Sequence, residues 1–278
     1  MTPDVIIIVL AAALMHATWN AVVKGAADRT VTFGLVSTGH TLPALAAAPF
    51  LPLPDPEMFP YIIASTIIHW GYYYLLNMSY RFGDLSLVYP IARGSTPLLV
   101  AIPAYLFLGE ELSAGGWAGL LLVSAGIMIL SLRPSSTGRP LLAVGLALGT
   151  AATIAAYSLV DGLGVRISDK AFSYIAWLFI AEGLIVIFIF TTRIERLRAL
   201  SRKQMMIGLS GGALSAIAYG LALYAKTLAP LGMVSALRET SVIFAAMIGL
   251  FWFGEGPARP RLIAAVIVAA GIILLSLS

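Results

Sequence analysis

The 278-residue sequence contains no cysteine, only three histidines and few charged residues. Disulfide bonds, thiol catalysis and cysteine-ligated metal sites are therefore excluded. Charged side chains make up 11% of the chain, against about a quarter in soluble proteins, while 60% of the residues are apolar and the mean hydropathy is +0.95. A soluble core of this size cannot bury so much apolar surface. We therefore interpret the chain as an integral membrane protein whose main solvent is lipid.

The net charge of +4 and the pI near 9.4 are those of many nucleic-acid-binding proteins. In a membrane protein, however, the same excess is typical of loops rich in lysine and arginine on the cytoplasmic side. We expect membrane lipid around the chain and no nucleic-acid partner.

Apolar segments near the about 20 residues that cross a bilayer recur along the whole chain. The N-terminal stretch lacks a basic region and an obvious cleavage site, so we interpret it as a retained first span. The sequence therefore predicts an all-α integral membrane fold of ten transmembrane helices, at residues 5–23, 31–50, 59–80, 85–107, 113–132, 141–160, 171–190, 205–224, 229–252 and 261–277.

The chain contains an internal duplication. Residues 85–132 align without a gap on residues 230–277, so that Arg93 falls on Arg238. A rare arginine in a long apolar run carries more weight than the matching alanines and leucines. It is followed at a fixed distance by the same dipeptide, Gly109-Glu110 and Gly254-Glu255. We interpret the chain as two copies of one unit.

We place the first five-helix repeat at residues 1–138 and the second at residues 139–278. Five spans is an odd number, so the second repeat enters the membrane upside down relative to the first. Inverted repeats of this kind enclose a site near the middle of the bilayer in many transporters. We therefore expect a central cavity between the two repeats.

The loops on the two sides of the predicted membrane differ in their number of lysine and arginine residues. The loops after spans 2, 4, 6 and 8 carry only Arg166, Lys170 and Lys226, whereas those after the odd-numbered spans carry many more. The positive-inside rule then predicts that both termini are extracytoplasmic. The loops after the odd-numbered spans carry Lys24, Arg29, Arg81, Arg133, Arg139, Arg193, Arg196, Arg198, Arg202, Lys203, Arg259 and Arg261.

Polar side chains share helix faces in several predicted spans. A charged group at the centre of a bilayer costs about 2.5–3.5 kcal/mol on insertion scales, so it normally faces protein or a water-filled cavity. An arginine fork can hold a carboxylate or a phosphate, while aromatic rings cover an apolar group or a cation. We predict a substrate site formed by His16, Trp19, Asn20, His40, Tyr73, Asn77, Tyr89, Arg93, Tyr157, Tyr219, Arg238 and Glu239.

The arginines also admit a structural interpretation, as ion pairs with Glu239 and Glu182. Arg238 and Glu239 are adjacent in sequence and so do not face each other on a helix. The better partner for Glu239 is Arg93 from the other repeat. The histidines are interpreted as hydrogen-bonded lining residues, with proton carriage as the alternative.

An enzyme is not expected. The segments Gly208-Leu-Ser-Gly211 and His16-Ala-Thr-Trp-Asn20 resemble parts of rhomboid proteases. That mechanism needs a histidine base after the serine, but all three histidines precede Ser210. With no thiols and few carboxylates, we expect no metal and no cofactor.

Two segments resemble the ten-helix EamA branch of the drug/metabolite transporter superfamily. They are Tyr89-Pro-Ile-Ala-Arg-Gly-Ser-Thr-Pro97 through Leu108-Gly-Glu-Glu-Leu112, and Gly119-Leu-Leu-Leu-Val-Ser-Ala-Gly-Ile127. Parts of them recur at Phe253-Gly-Glu255 and Ala269-Ala-Gly-Ile272. His16-Ala-Thr-Trp-Asn20 is typical of one branch of such proteins.

The resemblance implies a secondary transporter that works by alternating access in a bacterial inner membrane. It favours export of an amino acid or a related carboxylated metabolite by a monomer or weak homodimer, and proton coupling stays open. Organic-phosphate, sugar and multidrug transport are alternatives of the same fold, and a non-transporting sensor or assembly subunit is one from another class. Two departures matter. Four-helix multidrug relatives have a carboxylate in the region of His16, and family members commonly have cytoplasmic termini.

Overall fold

The computed structural model describes residues 1–24, 28–82, 85–129, 140–167, 169–251 and 258–277. These residues form helices and no strand, so the predicted all-helical fold is confirmed. Each predicted span overlaps one helix or two consecutive helices. The α-helices are α1 Pro3–Lys24, α2 Arg29–Ala47, α3 Phe59–Phe82, α4 Leu85–Leu108, α5 Ala114–Met128, α6 Pro140–Gly164, α7 Ala171–Ala181, α8 Gly183–Thr192, α9 Ile194–Arg198, α10 Arg202–Ala225, α11 Leu231–Arg238, α12 Ser241–Phe251 and α13 Ala258–Leu277.

The outer surface of the helix bundle carries many apolar side chains, which suits a lipid environment. Large apolar side chains stand exposed on many helices, among them Phe107 at 80% and Leu141 at 87%. Seven segments of the described chain are long and apolar enough to cross a membrane, and α5 is a shorter apolar helix. Helices α2 and α3 are outside these seven, and both carry many hydroxyl, histidine or tyrosine side chains. Those groups lower hydropathy without preventing burial inside the bundle.

Two spans of the second half are interrupted in mid-course. Helix α7 ends at Ala181 and α8 begins at Gly183, while α11 ends at Arg238 and α12 begins at Ser241. The interruptions place Glu182 and Glu239 at helix breaks. Helix α4 instead runs continuously through three prolines. Glu182 and Glu239 keep right-handed helical dihedral angles, so each break is a local change in the helical hydrogen bonding. The two residues are 4% and 1% exposed, so both breaks face the interior.

The packing of the helices repeats itself between the halves. Helix α1 packs on α10 and α12 as α6 packs on α3 and α4, and α5 packs on α13. The α5–α13 contact is reciprocal in detail. A Cβ added to Gly126 lies 2.8 Å from a methyl of Val268, and one added to Gly271 lies 2.9 Å from a methyl of Val123. These are equivalent positions in the two copies, so the duplication seen in the sequence is also a two-fold pseudo-symmetry of packing.

Helices α2 and α10 approach until their backbones touch, at Gly39 and Gly212. A Cβ on Gly212 lies 2.5 Å from the carbonyl oxygen of Val36 and 2.8 Å from the Cα of Gly39. Because these are backbone atoms, they cannot rotate away as a side chain can. Small residues serve this purpose in membrane helices, where association depends on close packing rather than on the hydrophobic effect.

We expect Gly212→Ala to destabilise the protein by about 1–3 kcal/mol, the usual cost of overpacking. The matched control is Gly145→Ala, because no described atom lies within 4 Å of a Cβ at Gly145. There the change gains helix propensity of about 1 kcal/mol. Thermal unfolding in detergent measures both. Equal melting temperatures for the two variants contradict the close-contact interpretation.

One end of the bundle is fastened by polar contacts between the halves; we call it the clasped end, formed by segments 51–58, 109–113, 165–167 with 169–170, and 226–230. Arg166 donates to the carbonyls of Lys226 at 2.6 Å and Ala229 at 2.7 Å, and pairs with Glu110 at 2.7 Å. The second carboxylate oxygen of Glu110 accepts the N–H of Leu231 at 2.7 Å and so caps α11. Lys170 pairs with Asp55 at 2.5 Å, so the four loops that follow the even-numbered spans meet at this end.

Lys226 lies just beyond the end of α10, with its side chain 1% exposed and its Nζ donating to the carbonyl of Ser158 at 2.7 Å. Burial lowers the pKa of Lys226 from 10.5 to about 7, with Arg238 and Arg166 adding to the fall and Asp161 and Glu110 opposing it. The folded protein therefore binds fewer protons at this site than the unfolded chain between pH 7 and 10.5.

Lys226 should consequently make the protein more stable as the pH rises from about 7 towards 10.5, since the neutral amine is the form that the folded state favours. We expect Lys226→Met to flatten this part of the stability profile. Melting temperatures measured across the range test the expectation. The exposed Lys203 supplies the control variant, Lys203→Met, which should keep the wild-type slope. An unchanged slope in Lys226→Met contradicts it.

Candidate functional site

Arg93 occupies the centre of the interface between the halves. It projects from α4, where its Nε lies 2.8 Å from Oε2 of Glu239 at the α11–α12 break. The predicted ion pair between the repeats is therefore found in the structure. The Nε–H of Arg93 is not aligned with Oε2 of Glu239, so these two atoms form no hydrogen bond with each other. Neither of them has another hydrogen-bond partner among the described residues. The contact is an ion pair that leaves hydrogen-bonding capacity on both sides.

The backbone around Arg93 is also unusual. Pro97 follows it by four residues within α4. In an α-helix the N–H of that residue donates to the carbonyl of Arg93, but proline has no N–H. The carbonyl of Arg93 is therefore deprived of its helical donor beside the buried guanidinium. Sequence order alone fixes this feature, because it needs only the i to i+4 spacing.

Arg238, the sequence equivalent of Arg93, lies in the same cluster. It is the last residue of α11 and is 6% exposed. Its guanidinium lies over the ring of Tyr219 at 4.8 Å. Both arginines are close enough to Glu239 and His16 to interact electrostatically with each. Two buried carboxylates therefore lie near the two arginines: Glu239 pairs with Arg93, and Asp161 accepts the hydroxyl of Tyr219, on whose ring Arg238 lies. The alternative pairing of Arg238 with Glu182 is wrong, because Glu182 pairs with His40.

His16 on α1 lies between two hydrogen-bond donors. The indole N–H of Trp19 points at its Nδ1 at 3.3 Å, and Nη2 of Arg93 lies 3.3 Å from its Nε2. A neutral imidazole has one acceptor nitrogen and a protonated imidazole has none. One of the two donors is therefore always unmatched. Asn20 takes no part in this conflict, since its side-chain amide donates to the carbonyl of His16 at 2.7 Å.

Aromatic rings surround the charged cluster. The ring of Tyr89 lies 6.0 Å from the guanidinium carbon of Arg93. Tyr157 contacts Tyr219 edge to face at 6.4 Å and is itself stacked on His69 at 4.0 Å. Tyr219 donates a hydrogen bond to Asp161, so its hydroxyl is occupied.

The structure does not bring every predicted residue to Arg93. His40 contacts Glu182 at 2.7 Å and the ring of Phe179 at 4.9 Å, which makes it part of a second polar cluster. Tyr73 lies within electrostatic range of Glu182 and Tyr157, between the two clusters. The side chain of Asn77 lies outside the described residues.

Two contributors were not among the predicted site residues. Ser241 lies 3.3 Å from Nη2 of Arg93. The duplication contains a signal for it, because Ser241 aligns with Thr96, a polar residue of the arginine-bearing face of α4. Tyr72 contacts Tyr157 at 5.8 Å. It was missed because three consecutive tyrosines, Tyr72 to Tyr74, do not indicate which of them face inward.

The site residues differ in accessibility. Arg93, Arg238 and Glu239 are buried, whereas His16 and Trp19 keep part of their surface accessible.

Two cavities lie away from Arg93. One of about 480 Å³ is at the clasped end beside Arg166 and Tyr224, and an apolar one of about 270 Å³ lies beside Phe172 and Phe179. A central cavity stays a prediction. No group of three histidine or acidic side chains suited to a metal ion occurs in the described part of the chain.

Comparison with known proteins agrees with this architecture. A solved structure named only "Crystal structure of protein" is 16% identical, and the match covers 100% of this chain and 98% of that chain with a TM-score of 0.79. At this identity it shows the fold alone. No curated protein matches the sequence significantly. The model of the EamA-like transporter family matches twice, over residues 4–132 and 141–277. Nearly the whole chain is thus accounted for as two copies of one transporter unit, and the protein belongs to the EamA-like transporter family.

Proposed function

We propose that the protein is a secondary transporter that moves a small amino acid, or a related carboxylated metabolite, out of the cell by alternating access. The single observation that carries the choice of substrate is the buried guanidinium of Arg93, whose contacts with Glu239 and His16 leave hydrogen-bonding capacity unused.

A buried guanidinium needs acceptors for its N–H groups, because the surroundings solvate it poorly. The Nε–H of Arg93 has no aligned acceptor, and His16 leaves one of its two donors unmatched. A carboxylate supplies acceptor oxygens for that donor and for the fork of Arg93. A cationic drug supplies no such acceptor, and an organic phosphate is the competing anion that the uptake test below includes.

The remaining groups suit the rest of an amino acid. An ammonium group finds acceptors at Oε2 of Glu239, which has no hydrogen-bond partner among the described residues, and at the carbonyl of Arg93 that Pro97 deprives of its donor. The rings of Tyr89 and Tyr157 offer a cover for an apolar side chain. Opposite charges beside an aromatic wall match a zwitterion with an apolar substituent.

The broken helices support alternating access. The interruptions at Glu182 and Glu239 lie in spans 7 and 9. The corresponding spans of the first repeat, α2 and α4, are continuous. Broken helices are common beside transporter binding sites. In this conformation the clasped end is held by Arg166 and Glu110. Opening that end requires these contacts to separate. The proposal also places the protein in a bacterial inner membrane, because of the family resemblance. It places both termini outside the cytoplasm, because of the loop charges.

Uptake into proteoliposomes tests the substrate class. Purified protein is reconstituted, and three labelled probes are offered: a mixture of the common L-amino acids, glucose 6-phosphate and tetraphenylphosphonium. We expect flux of the amino-acid mixture. Preference for the phosphate favours organic-phosphate transport, and preference for the cation favours multidrug transport. Flux of none, with a correctly folded protein, favours a sensor or assembly subunit.

Arg93→Lys tests the role of the guanidinium fork. Lysine keeps the charge opposite Glu239 but cannot bind a carboxylate in the two-pronged manner. Losing a charge-assisted hydrogen bond of about 1.5–3 kcal/mol should lower amino-acid uptake at limiting concentration by about tenfold or more. The melting temperature should change little. Arg198→Lys, on the exposed helix α9, is the control with unchanged uptake. Wild-type uptake by Arg93→Lys contradicts a carboxylate-binding role for Arg93.

A further inference from the structure

A second buried acid–base pair lies outside the arginine cluster. Nδ1 of His40 is 2.7 Å from Oε2 of Glu182, and the two residues are 8% and 4% exposed. Nε2 of His40 is buried and has no hydrogen-bond partner among the described residues. The substrate site proposed above does not use this pair. We propose that His40 and Glu182 form a proton-binding site that couples the movement of substrate to a proton.

The pair is placed where the helices of the two halves meet at a break. His40 belongs to α2 of the first half, and Glu182 is the residue between α7 and α8 of the second half. One residue along α2, the hydroxyl of Thr41 donates to the carbonyl of Phe179 at 3.0 Å. A continuous helix would use that carbonyl for the N–H of Gly183. Helix α2 therefore stabilises the break, and a rearrangement there alters the His40–Glu182 contact.

The proton balance of the pair depends on this contact. With one proton shared between Nδ1 and Oε2, the pair has no net charge, either as two neutral groups or as an imidazolium beside a carboxylate. When that proton leaves to water, a carboxylate remains beside a neutral imidazole, with one net negative charge. Separation of the two groups breaks the 2.7 Å contact across which the proton is shared, so a movement of the helices at this break changes whether the pair can hold it.

Few other ionisable groups surround the pair. Helix α3 brings His69 and Tyr73, which are in electrostatic range of Glu182. Helix α10 brings Tyr219 and α7 brings Tyr174, and both donate to Asp161. Helix α1 carries His16, which faces Arg93. Helix α8, Gly183–Thr192, and the turn at 48–50 contain no ionisable side chain. Asp161 accepts hydrogen bonds from two tyrosine hydroxyls, whereas Glu182 contacts His40.

The two clusters are joined by aromatic contacts. Tyr157 stacks on His69 at 4.0 Å and lies in electrostatic range of both Arg93 and Arg238. His69 in turn is in range of Glu182. The stacked rings of Tyr157 and His69 therefore lie between the arginines and Glu182, which places the proposed proton site next to the proposed substrate site.

The inference rests on the proposed transport function, so the test separates the two. Proteoliposomes containing the wild type or Glu182→Gln are given the labelled L-amino-acid mixture under two conditions: exchange against unlabelled mixture without a gradient, and net uptake driven by an imposed pH gradient. The glutamine keeps the size and accepting oxygen of Glu182 but cannot ionise. Glu195→Gln, on the exposed helix α9, is the matched control.

We expect Glu182→Gln to exchange label within about twofold of the wild type but to lose the response to the pH gradient, while Glu195→Gln retains both. Gradient-driven uptake by Glu182→Gln overturns the inference. Wild-type vesicles that exchange label without responding to the gradient also overturn it, but they leave the proposed function standing. Wild-type vesicles that exchange no label contradict the proposed function itself.

If Glu182→Gln loses exchange as well as the response to the gradient, Glu182→Asp is tested next. This variant restores an acid at a slightly different distance from His40. Recovery of exchange and of gradient-driven uptake, with a shifted pH profile, supports the proton site. Failure of the aspartate to recover either activity, in a protein with the wild-type melting temperature, counts against it.

Discussion

The contact of Arg93 with Glu239 is the interaction on which the arrangement of the interior depends. Each of these charges alone is expensive inside a membrane protein, and removing one partner of such a pair costs about 3–5 kcal/mol because the other is stranded. The pair forces the continuous helix α4 of the first half to lie against the α11–α12 break of the second. Arg238 lies in the same cluster, on the ring of Tyr219, whose hydroxyl donates to Asp161.

The two repeats share their helix contacts and the arginine position, but they differ in the carboxylate. At the offset that superposes the two arginines, Glu239 corresponds to Gly94 and Ser241 to Thr96. The carboxylate is therefore present in one repeat only. The scaffold stays two-fold in its helix contacts, while the charged cluster at its centre is one-sided. In the function proposed above, this asymmetry distinguishes the anionic end of the substrate from the cationic end.

The two ends of the bundle are held in different ways. At the clasped end, Arg166 and Glu110 join the halves through several short contacts, and Glu110 also caps α11. Among the described residues of the opposite end, Asp28 and Arg196 form a partly exposed pair at 3.6 Å, and exposed pairs contribute little. An opening movement at the clasped end would have to break the contacts of Arg166 and Glu110.

The sequence by itself determined the helical membrane class, the duplication, the approximate spans and the pairing of Arg93 with Glu239. Composition and apolar periodicity are local properties, and a lone charge in lipid has few partners to choose from. Only the tertiary structure decided that Glu182 pairs with His40 rather than with Arg238, that Ser241 and Tyr72 join the site, and that two spans are broken. These depend on the rotation and depth of each helix, which close backbone contacts such as Gly39 against Gly212 fix and which no single segment encodes.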